Sequence, residues 1–337
     1  MRFAPSPTGS LHLGGALTAV ANRRFADEQG GVLVLRIDDT DAARGVPGAE
    51  EGIQSDLEWL GIAWDEGPVR QSERASRHVE AAREIGTVDA EGAVRFGRAT
   101  LVRADRRPTY QLASVVDDLD LGITHVIRGK DLLPSTELQR EIARALGADP
   151  PEYIHHGLLV GDDGRKLSKR ERAASVAGLR ELGIPAEAVR AYLEELDLPR
   201  GDVHFDEARL RRLAVEALGA LSDEELAARS GADARLGPAL RGARDLVEAR
   251  SVAEQLARRP APEPSASPAT LSRFRELREG APDDLDKEAA KTIIRELKAV
   301  GGDLRALRLA LTGAERGPEL WAVLVALPRD EALIRTG

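Results

Sequence analysis

The strongest constraint on this chain lies in its first 37 residues. Met1–Ala4 is a short strand candidate, followed by Pro5–Gly15, a stretch with two prolines and three glycines. Ala16–Asp27 is rich in helix formers, Gly30-Gly31 breaks the chain, and Val32–Ile37 (VLVLRI) is an apolar run. An apolar run between breakers suits a strand covered on both faces, as in a parallel sheet. Strand, crossover helix and strand make a right-handed βαβ unit. The front of the chain is therefore expected to be α/β.

Further along, Ile53, Leu57 and Leu60 recur at helical spacing in Ala49–Leu60. Gly122–Gly129 (GITHVIRG) reads as a strand and Glu137–Leu146 as a helix, with Thr136 and Gln139 placed for a capping box. Gly157–Gly161 reads as a short strand ending in the turn Asp162-Asp163-Gly164. Beyond Arg170 the pattern is helical and no further strand is expected. Pro185–Leu196 carries Val189, Tyr192, Leu193 and Leu196 on one face, and Ser222–Glu225 reads as a helix start. Arg259–Pro268 holds four prolines and reads as a linker, after which helices resume near Ala269.

At 337 residues the chain has room for two or three domains. It has no cysteine, which excludes disulfides, a thiol nucleophile and thiolate zinc sites, and fits a reducing cytoplasm. No apolar run approaches membrane-span length, and the first residues do not form a signal peptide, so a soluble cytoplasmic protein is expected. The whole chain carries −9, and the first 225 residues carry −11, because Leu226–Gly337 has 19 Arg and Lys against 17 Asp and Glu. Lysine is scarce, and two of the six lysines, Lys166 and Lys169, stand three residues apart in RKLSKR. A compact, mobile ammonium at that loop points to a phosphate partner, although an isolated basic run is an ordinary solvated loop.

The glycines near His12 suit close approach of a flat ligand to a helix N-terminus, where free N–H groups favour phosphate. Alone, a histidine beside Gly14-Gly15 is an ordinary turn. In order, however, the chain reads MRFAPSPTGSLHLGGALTA, LRIDDTD, LGIAWDEGPVRQSER, PTYQLASVVDD, THVIRGKDLLPSTELQ and DDGRKLSKR. This series resembles the class I glutamyl-tRNA synthetases, including the smaller paralogue that glutamylates queuosine in tRNA-Asp. HLGG resembles the family's HIGH-type signature and KLSKR its KMSKS-type loop. The resemblance covers about residues 1–80 and 99–200, and returns at HFDEARLRRL and RLALTGAERGPEL.

The resemblance implies a Rossmann-like class I catalytic domain over 1–172, with a shortened connective insertion at 85–107. A helical stem-contact region over 173–225 and an all-helical, anticodon-binding-like region over 226–337 would follow. It implies glutamate, ATP with Mg2+, and tRNA, most simply tRNA-Glu, as substrates and partners, with no zinc, no membrane and a monomeric chain. His12, Lys166 and Lys169 would be catalytic. Thr8, His12, Gly14, Gly15, Lys166, Leu167, Ser168 and Lys169 would bind ATP. Arg2, Ala4, Ser6, Asp38, Tyr110, Ser114 and Arg128 would bind glutamate, the arginines meeting carboxylates and Asp38 the ammonium.

Several positions depart from the family pattern. RIDD replaces RIED, so Asp38 is one methylene short. Ser114 replaces a larger amide, Lys130 stands where full-length members carry an acid, and Val46–Ala49 (VPGA) is closer to the queuosine-modifying paralogue. Only Ile85–Arg107 stands where members insert a module that grips the acceptor end. Three other readings remain open: glutamylation of queuosine, adenylation of glutamate for a small amine, and a non-catalytic RNA-binding relative. A nucleotidyltransferase on the same type of site is more distant. His155-His156 and Asp117-Asp118-Asp120 read as structural groups, and Trp59 and Trp64 as packing.

Overall fold

In the computed structural model, residues 1–41, 45–165, 167, 172–261 and 267–337 are described. The chain opens with β1 (Arg2–Phe3), α1 (Leu13–Gln29), β2 (Val34–Ile37), α2 (Ala49–Trp59), β3 (Glu66–Arg70) and α3 (Ala75–Ile85). Then come β4 (Thr87–Val88), β5 (Val94–Phe96), β6 (Ala99–Val102), α4 (Tyr110–Asp120), β7 (His125–Gly129), α5 (Thr136–Ala145), β8 (Glu152–His156) and β9 (Leu159–Val160). Next are α6 (Val176–Glu181), α7 (Ala186–Leu196) and β10 (Val203–His204). The remainder is helical: α8 (Glu207–Ala220), α9 (Asp223–Arg229), α10 (Gly237–Leu240), α11 (Leu246–Ala257), α12 (Pro268–Glu279), α13 (Lys287–Ala299), α14 (Leu304–Thr312), α15 (Leu320–Ala326) and α16 (Arg329–Arg335).

Two compact units divide these elements: Met1–Glu181 with Val189–Glu207, and Leu182–Ala188 with Ala208–Gly337. In the first, β2 lies between β1 and β3, and both pairings are parallel. Val34, Leu35 and Ile37 of β2 are buried, as expected for a covered parallel strand. Arg36, in the same strand, has no exposed surface at all. α1 begins at Leu13, three residues before the composition suggests, because His12 caps it: its Nδ1 accepts from the Gly14 N–H at 3.3 Å. It ends at Gly30, whose φ of 59° lies in the left-handed region that favours glycine.

β7 and β8 pair in parallel, with Arg128 opposite His155. Val126 of β7 packs with Val34 of β2 and with Ile123. β9 and β10 also pair in parallel, which corrects the expectation of no strand beyond Arg170. A two-residue strand is too short to show a period-2 pattern, so the sequence carried no signal for it. Gly157 must be glycine there, since a Cβ would lie 1.7 Å from the Gly201 carbonyl oxygen.

The short segment after α3 forms an antiparallel sheet, β4–β5–β6. It shares the core of its unit: Val94, Leu101 and Val102 are buried with Ala81, Val115, Val116 and Ile142 of α3, α4 and α5.

The second unit is built on capped helices. Ser222 and Glu225 form the reciprocal capping box that Ser222–Glu225 suggested, and Asp245, Asp286 and Asp303 cap α11, α13 and α14. Phe274, Leu297, Leu307, Leu311, Val323 and Leu324 form one core cluster. Arginine serves as a staple here: buried Arg278 donates to the carbonyls of Pro282 and Asp283, and Arg335 to those of Leu256 and Leu311. A planar fork can bridge two carbonyls where an ammonium could not hold both in one plane. Among the described residues, no helix is long and apolar enough to cross a membrane.

Candidate active site

A cavity of about 510 Å³ lies at the ends of β1, β2 and β7 and at the N-terminus of α1. Ligands in parallel α/β sheets collect at such strand ends. Arg2, Ala4, Ser6, Thr8, His12, Gly14, Gly15, Asp38, Tyr110 and Arg128 all line it. An adjoining hollow of about 210 Å³ shares Ser6, Thr8, Asp38 and Tyr110, and adds Arg103 and Pro108 from the turn after β6. The Pro5–Gly15 stretch is stapled by backbone bonds from Asp38 N–H to the Pro5 carbonyl and from Val46 N–H to that of Pro7.

Two arginines face the cavity in different ways. Arg2 is tethered at Nε, which donates to Asp118 Oδ1 at 3.2 Å. Its terminal nitrogens make no hydrogen bond or ion pair among the described residues. The same Asp118 oxygen accepts from Arg36 at 2.6 Å, and Arg36 also holds both oxygens of Asp38, at 2.7 and 3.3 Å. Burial works against the charge of Arg36, but Asp38 and Asp118 outweigh it and hold its pKa above the ordinary value. Burial lifts the Asp38 carboxyl above its ordinary range, and Arg36 opposes that lift. Within this floor, two guanidinium charges meet two carboxylates.

Arg128, 3% exposed, has no carboxylate partner among the described residues. Its Nε donates to His155 Nε2 at 3.2 Å. One terminal nitrogen donates to Gln139 Oε1 at 2.7 Å and to the Tyr110 hydroxyl at 3.4 Å. The other donates to Thr136 Oγ1 at 2.9 Å and to the Leu132 carbonyl at 3.3 Å. All five donors thus meet neutral acceptors. The guanidinium also lies 4.8 Å from the centre of the Tyr153 ring. Burial pushes the Arg128 pKa down. Arg2, Arg36 and Arg128 against Asp38 and Asp118 leave one positive charge in excess among these five groups, while the Asp131 carboxylate also lines the cavity.

Thr136 and Gln139 do not form the expected capping box: Ser135 occupies the cap position of α5 and makes no side-chain cap bond. Their three-residue spacing puts both side chains on one helix face, and that face is turned to Arg128.

His12 accepts at Nδ1 from Gly14, so its Nε2 carries the proton and donates to the Leu167 carbonyl at 2.7 Å. Leu167 is buried, and His12 is thereby tied to the RKLSKR segment. The other candidates there, Lys166, Ser168 and Lys169, lie outside the described residues. A Cβ at Gly14 would meet His12 Nδ1 at an ordinary 3.7 Å, so the neighbouring protein atoms do not require glycine there. At Gly15 the nearest atom is a Leu11 methyl, at 3.1 Å.

Ser114 is not among the lining residues: its hydroxyl accepts from Arg36 at 3.3 Å, behind the wall. Lys130 is balanced by Asp202, 2.8 Å away, on the surface of the same unit. Asp117 accepts from Gln71, Arg74 and His78, and Asp120 from Arg74 and Arg77. His156 lines the cavity and contacts Thr18 Oγ1 at 3.0 Å, while His155 lies behind Arg128. No group of three or more His, Cys, Asp or Glu among the described residues is arranged to hold a metal ion.

Sequence reasoning missed Arg36, Thr136, Gln139 and His155. Arg36 had a signal, as the one charge inside an apolar strand.

The family model described as tRNA synthetases class I (E and Q), catalytic domain, matches residues 1–86 and 84–204. The chain is 36% identical to Glutamate--tRNA ligase 1 of Rubrobacter xylanophilus, over 98% of this chain and 95% of that protein. It is 32% identical to Glutamate--tRNA ligase 1 of Dinoroseobacter shibae, over 99% and 96%. The first alignment spans 422 positions, so dozens of them face gaps in this 337-residue chain. A solved glutamate tRNA ligase from Elizabethkingia meningosepticum, in complex with its amino acid, superposes with a TM-score of 0.78 at 25% identity. That match covers 99% of this chain and 97% of the other.

Proposed function

The chain belongs to the class I tRNA synthetases of the glutamate and glutamine branch, and from that premise we infer that it activates L-glutamate with ATP and transfers it to the 3′ end of tRNA-Glu. One observation carries the choice of amino acid. The cavity holds a buried guanidinium, Arg128, whose every hydrogen-bond partner is neutral. A buried, uncompensated cation is costly and is relieved by an anionic ligand. Glutamate supplies a side-chain carboxylate and glutamine does not.

In this reading Arg128 receives the side-chain carboxylate of glutamate, Arg2 faces the α-carboxylate, and Asp38 meets the ammonium. Ala4, Ser6 and Tyr110 shape the space between them. An oxygen of the glutamate α-carboxylate attacks the α-phosphorus of ATP. The bond to the pyrophosphate oxygen breaks, leaving glutamyl-adenylate and pyrophosphate. A ribose hydroxyl of the tRNA terminus then attacks the adenylate carbonyl, and AMP leaves. No protein nucleophile is needed, so catalysis is positioning and charge stabilisation. The Nε2 proton of His12 would turn from the Leu167 carbonyl to a phosphate oxygen, with Thr8, Gly14 and Gly15 beside the nucleotide. Lys169 would steady the departing pyrophosphate with His12, and Lys166 and Ser168 would shape the loop. Mg2+ would travel with ATP, held by phosphate oxygens and water.

The hollow beside Arg103 offers the acceptor end a route to the same carboxylate, because it shares four lining residues with the main cavity. A chain with a short insertion would still need such a route.

The test is ATP–pyrophosphate exchange with glutamate, with and without tRNA, followed by transfer of labelled glutamate. Exchange with labelling of unmodified tRNA-Glu is expected. Exchange without RNA labelling would instead indicate a small-molecule acceptor, and labelling of queuosine-containing tRNA-Asp alone would indicate a modifying enzyme.

A further inference from the structure

We propose that His155 is a positioning residue for substrate glutamate: its unprotonated Nε2 accepts from Arg128 Nε and sets the orientation in which that guanidinium presents its terminal nitrogens to the cavity. The inference deepens the glutamate reading and rests on it.

The geometry begins with strand register. Arg128 and His155 are direct partners in the parallel pair β7–β8, so their side chains leave the sheet on the same face. Tyr153, two residues before His155, shares that face, and its ring stacks on the imidazole at 6.3 Å and 12°. The same Tyr153 ring lies under the Arg128 guanidinium. Backbone register and one aromatic platform therefore place imidazole and guanidinium side by side.

The chemistry fixes the protonation state. Arg128 Nε can only donate, so the nitrogen it meets must carry a lone pair. His155 Nε2 also lies 3.1 Å from Thr136 Oγ1, which accepts from Arg128 as well. A proton on Nε2 would break the bond to Arg128 and set two cations against each other. The groups facing His155 reinforce the neutral form: Arg128 and Arg140 are cations, and His156 adds its own field. Burial, the largest cause, and these charges hold the His155 pKa below its ordinary value of 6.5.

Nε is the one Arg128 donor on the stem side of the fork. A bond there leaves the two terminal nitrogens to be shared with a ligand, and the weakest of their present bonds, to Tyr110 at 3.4 Å, is the easiest to exchange. His155 is absent from the cavity lining, so it acts through Arg128 alone.

The experiment uses the full chain and glutamate-dependent ATP–pyrophosphate exchange, with tRNA present. His155→Phe keeps a ring on Tyr153 and removes the acceptor, whereas His155→Gln replaces it with a non-titrating carbonyl oxygen. His155→Phe is expected to raise the KM for glutamate about tenfold, the scale of one hydrogen bond to a charged group, with kcat and the KM for ATP nearly unchanged. His155→Gln should restore the KM to within about twofold, a small fraction of that hydrogen bond. In the wild type the KM for glutamate should climb as pH falls through the lowered His155 pKa, which lies below 6.5, and in His155→Gln it should stay flat.

Wild-type KM in His155→Phe, or an unaltered pH profile in His155→Gln, would overturn the proposal. If His155→Phe does not fold, the wild-type and His155→Gln profiles still decide. Arg128→Ala separates the two levels. If that variant leaves the KM for glutamate unchanged, the glutamate reading fails and takes the proposal with it. If it raises the KM while both His155 variants leave it alone, only the proposal fails.

Discussion

The cavity floor and the cavity wall treat a buried arginine in opposite ways. On the floor, Arg36 lies among carboxylates, bonded to Asp38 and Asp118, and Asp118 also tethers Arg2. On the wall, Arg128 is equally hidden but meets a ring nitrogen, an amide oxygen, two hydroxyls and a carbonyl. On the floor two guanidinium groups meet two carboxylates, so their charges balance. The wall is oriented by dipoles and keeps its charge for a ligand. Pairing with carboxylates balances the floor, whereas pairing with neutral acceptors leaves the charge of Arg128 uncompensated.

Substitutions that exchange these behaviours should separate them, and the largest effect belongs to the wall. Arg128→Ala should lower kcat/KM for glutamate on the order of a thousandfold, since a buried, hydrogen-bonded charge pair to substrate is worth several kcal/mol. Its melting temperature should change little, because no carboxylate loses its partner. On the floor the expected pattern reverses. Arg36→Met should cost about 3 kcal/mol of stability in urea denaturation, by stranding Asp38 in the interior and leaving Asp118 with Arg2 alone. If Arg36→Met were as stable as the wild type, the floor would not be a structural network.

Asp118→Asn bridges the two behaviours, because it loosens both Arg36 and Arg2. It should cost roughly 2 kcal/mol, within the range for weakening a buried charged hydrogen bond, and should also raise the KM for glutamate. A stability loss with an unchanged KM would separate Arg2 from substrate.

A smaller effect comes from pH. Burial holds His155 and His156 below their ordinary value of 6.5. As pH falls through 6.5 the unfolded chain takes up protons that the native chain refuses. Stability contributed by the neutral imidazoles is therefore complete above 6.5 and declines below it. Calorimetry should record a falling melting temperature there, and a smaller fall in His155→Gln. The smallest effect is outside both regions. Lys130 and Asp202 are each about 40% exposed, so Lys130→Ala should shift stability by less than about 1 kcal/mol.

The floor and wall also show what a sequence can reveal. Arg2, Asp38, Tyr110 and Arg128 were legible through motif order, and all four line the cavity. The βαβ opening was legible because glycines and an apolar run bound it. The residues that hold Arg128 were not. Thr136 and Gln139 have the spacing of a capping box, and local sequence cannot tell a capped helix N-terminus from a helix face turned to the preceding strand. His155 becomes meaningful only when β8 is placed in register with β7. β3 is polar and carries Pro68, so it lacks the apolar signature of a core strand, whereas α4 carries Leu112, Val115, Val116 and Leu119 at helical spacing beside buried Asp117 and Asp118. Ser114 was assigned to the ligand by motif, yet its hydroxyl belongs to Arg36. Sequence named the groups that face the cavity better than those that hold them.

The central claim is that the unpaired charge on the wall selects an anion. The direct measurement is ATP–pyrophosphate exchange with glutamate against glutamine, in the same buffer with tRNA present. The account predicts robust exchange with glutamate and almost none with glutamine, whose neutral amide would leave Arg128 uncompensated. Comparable exchange with the two amino acids would contradict it.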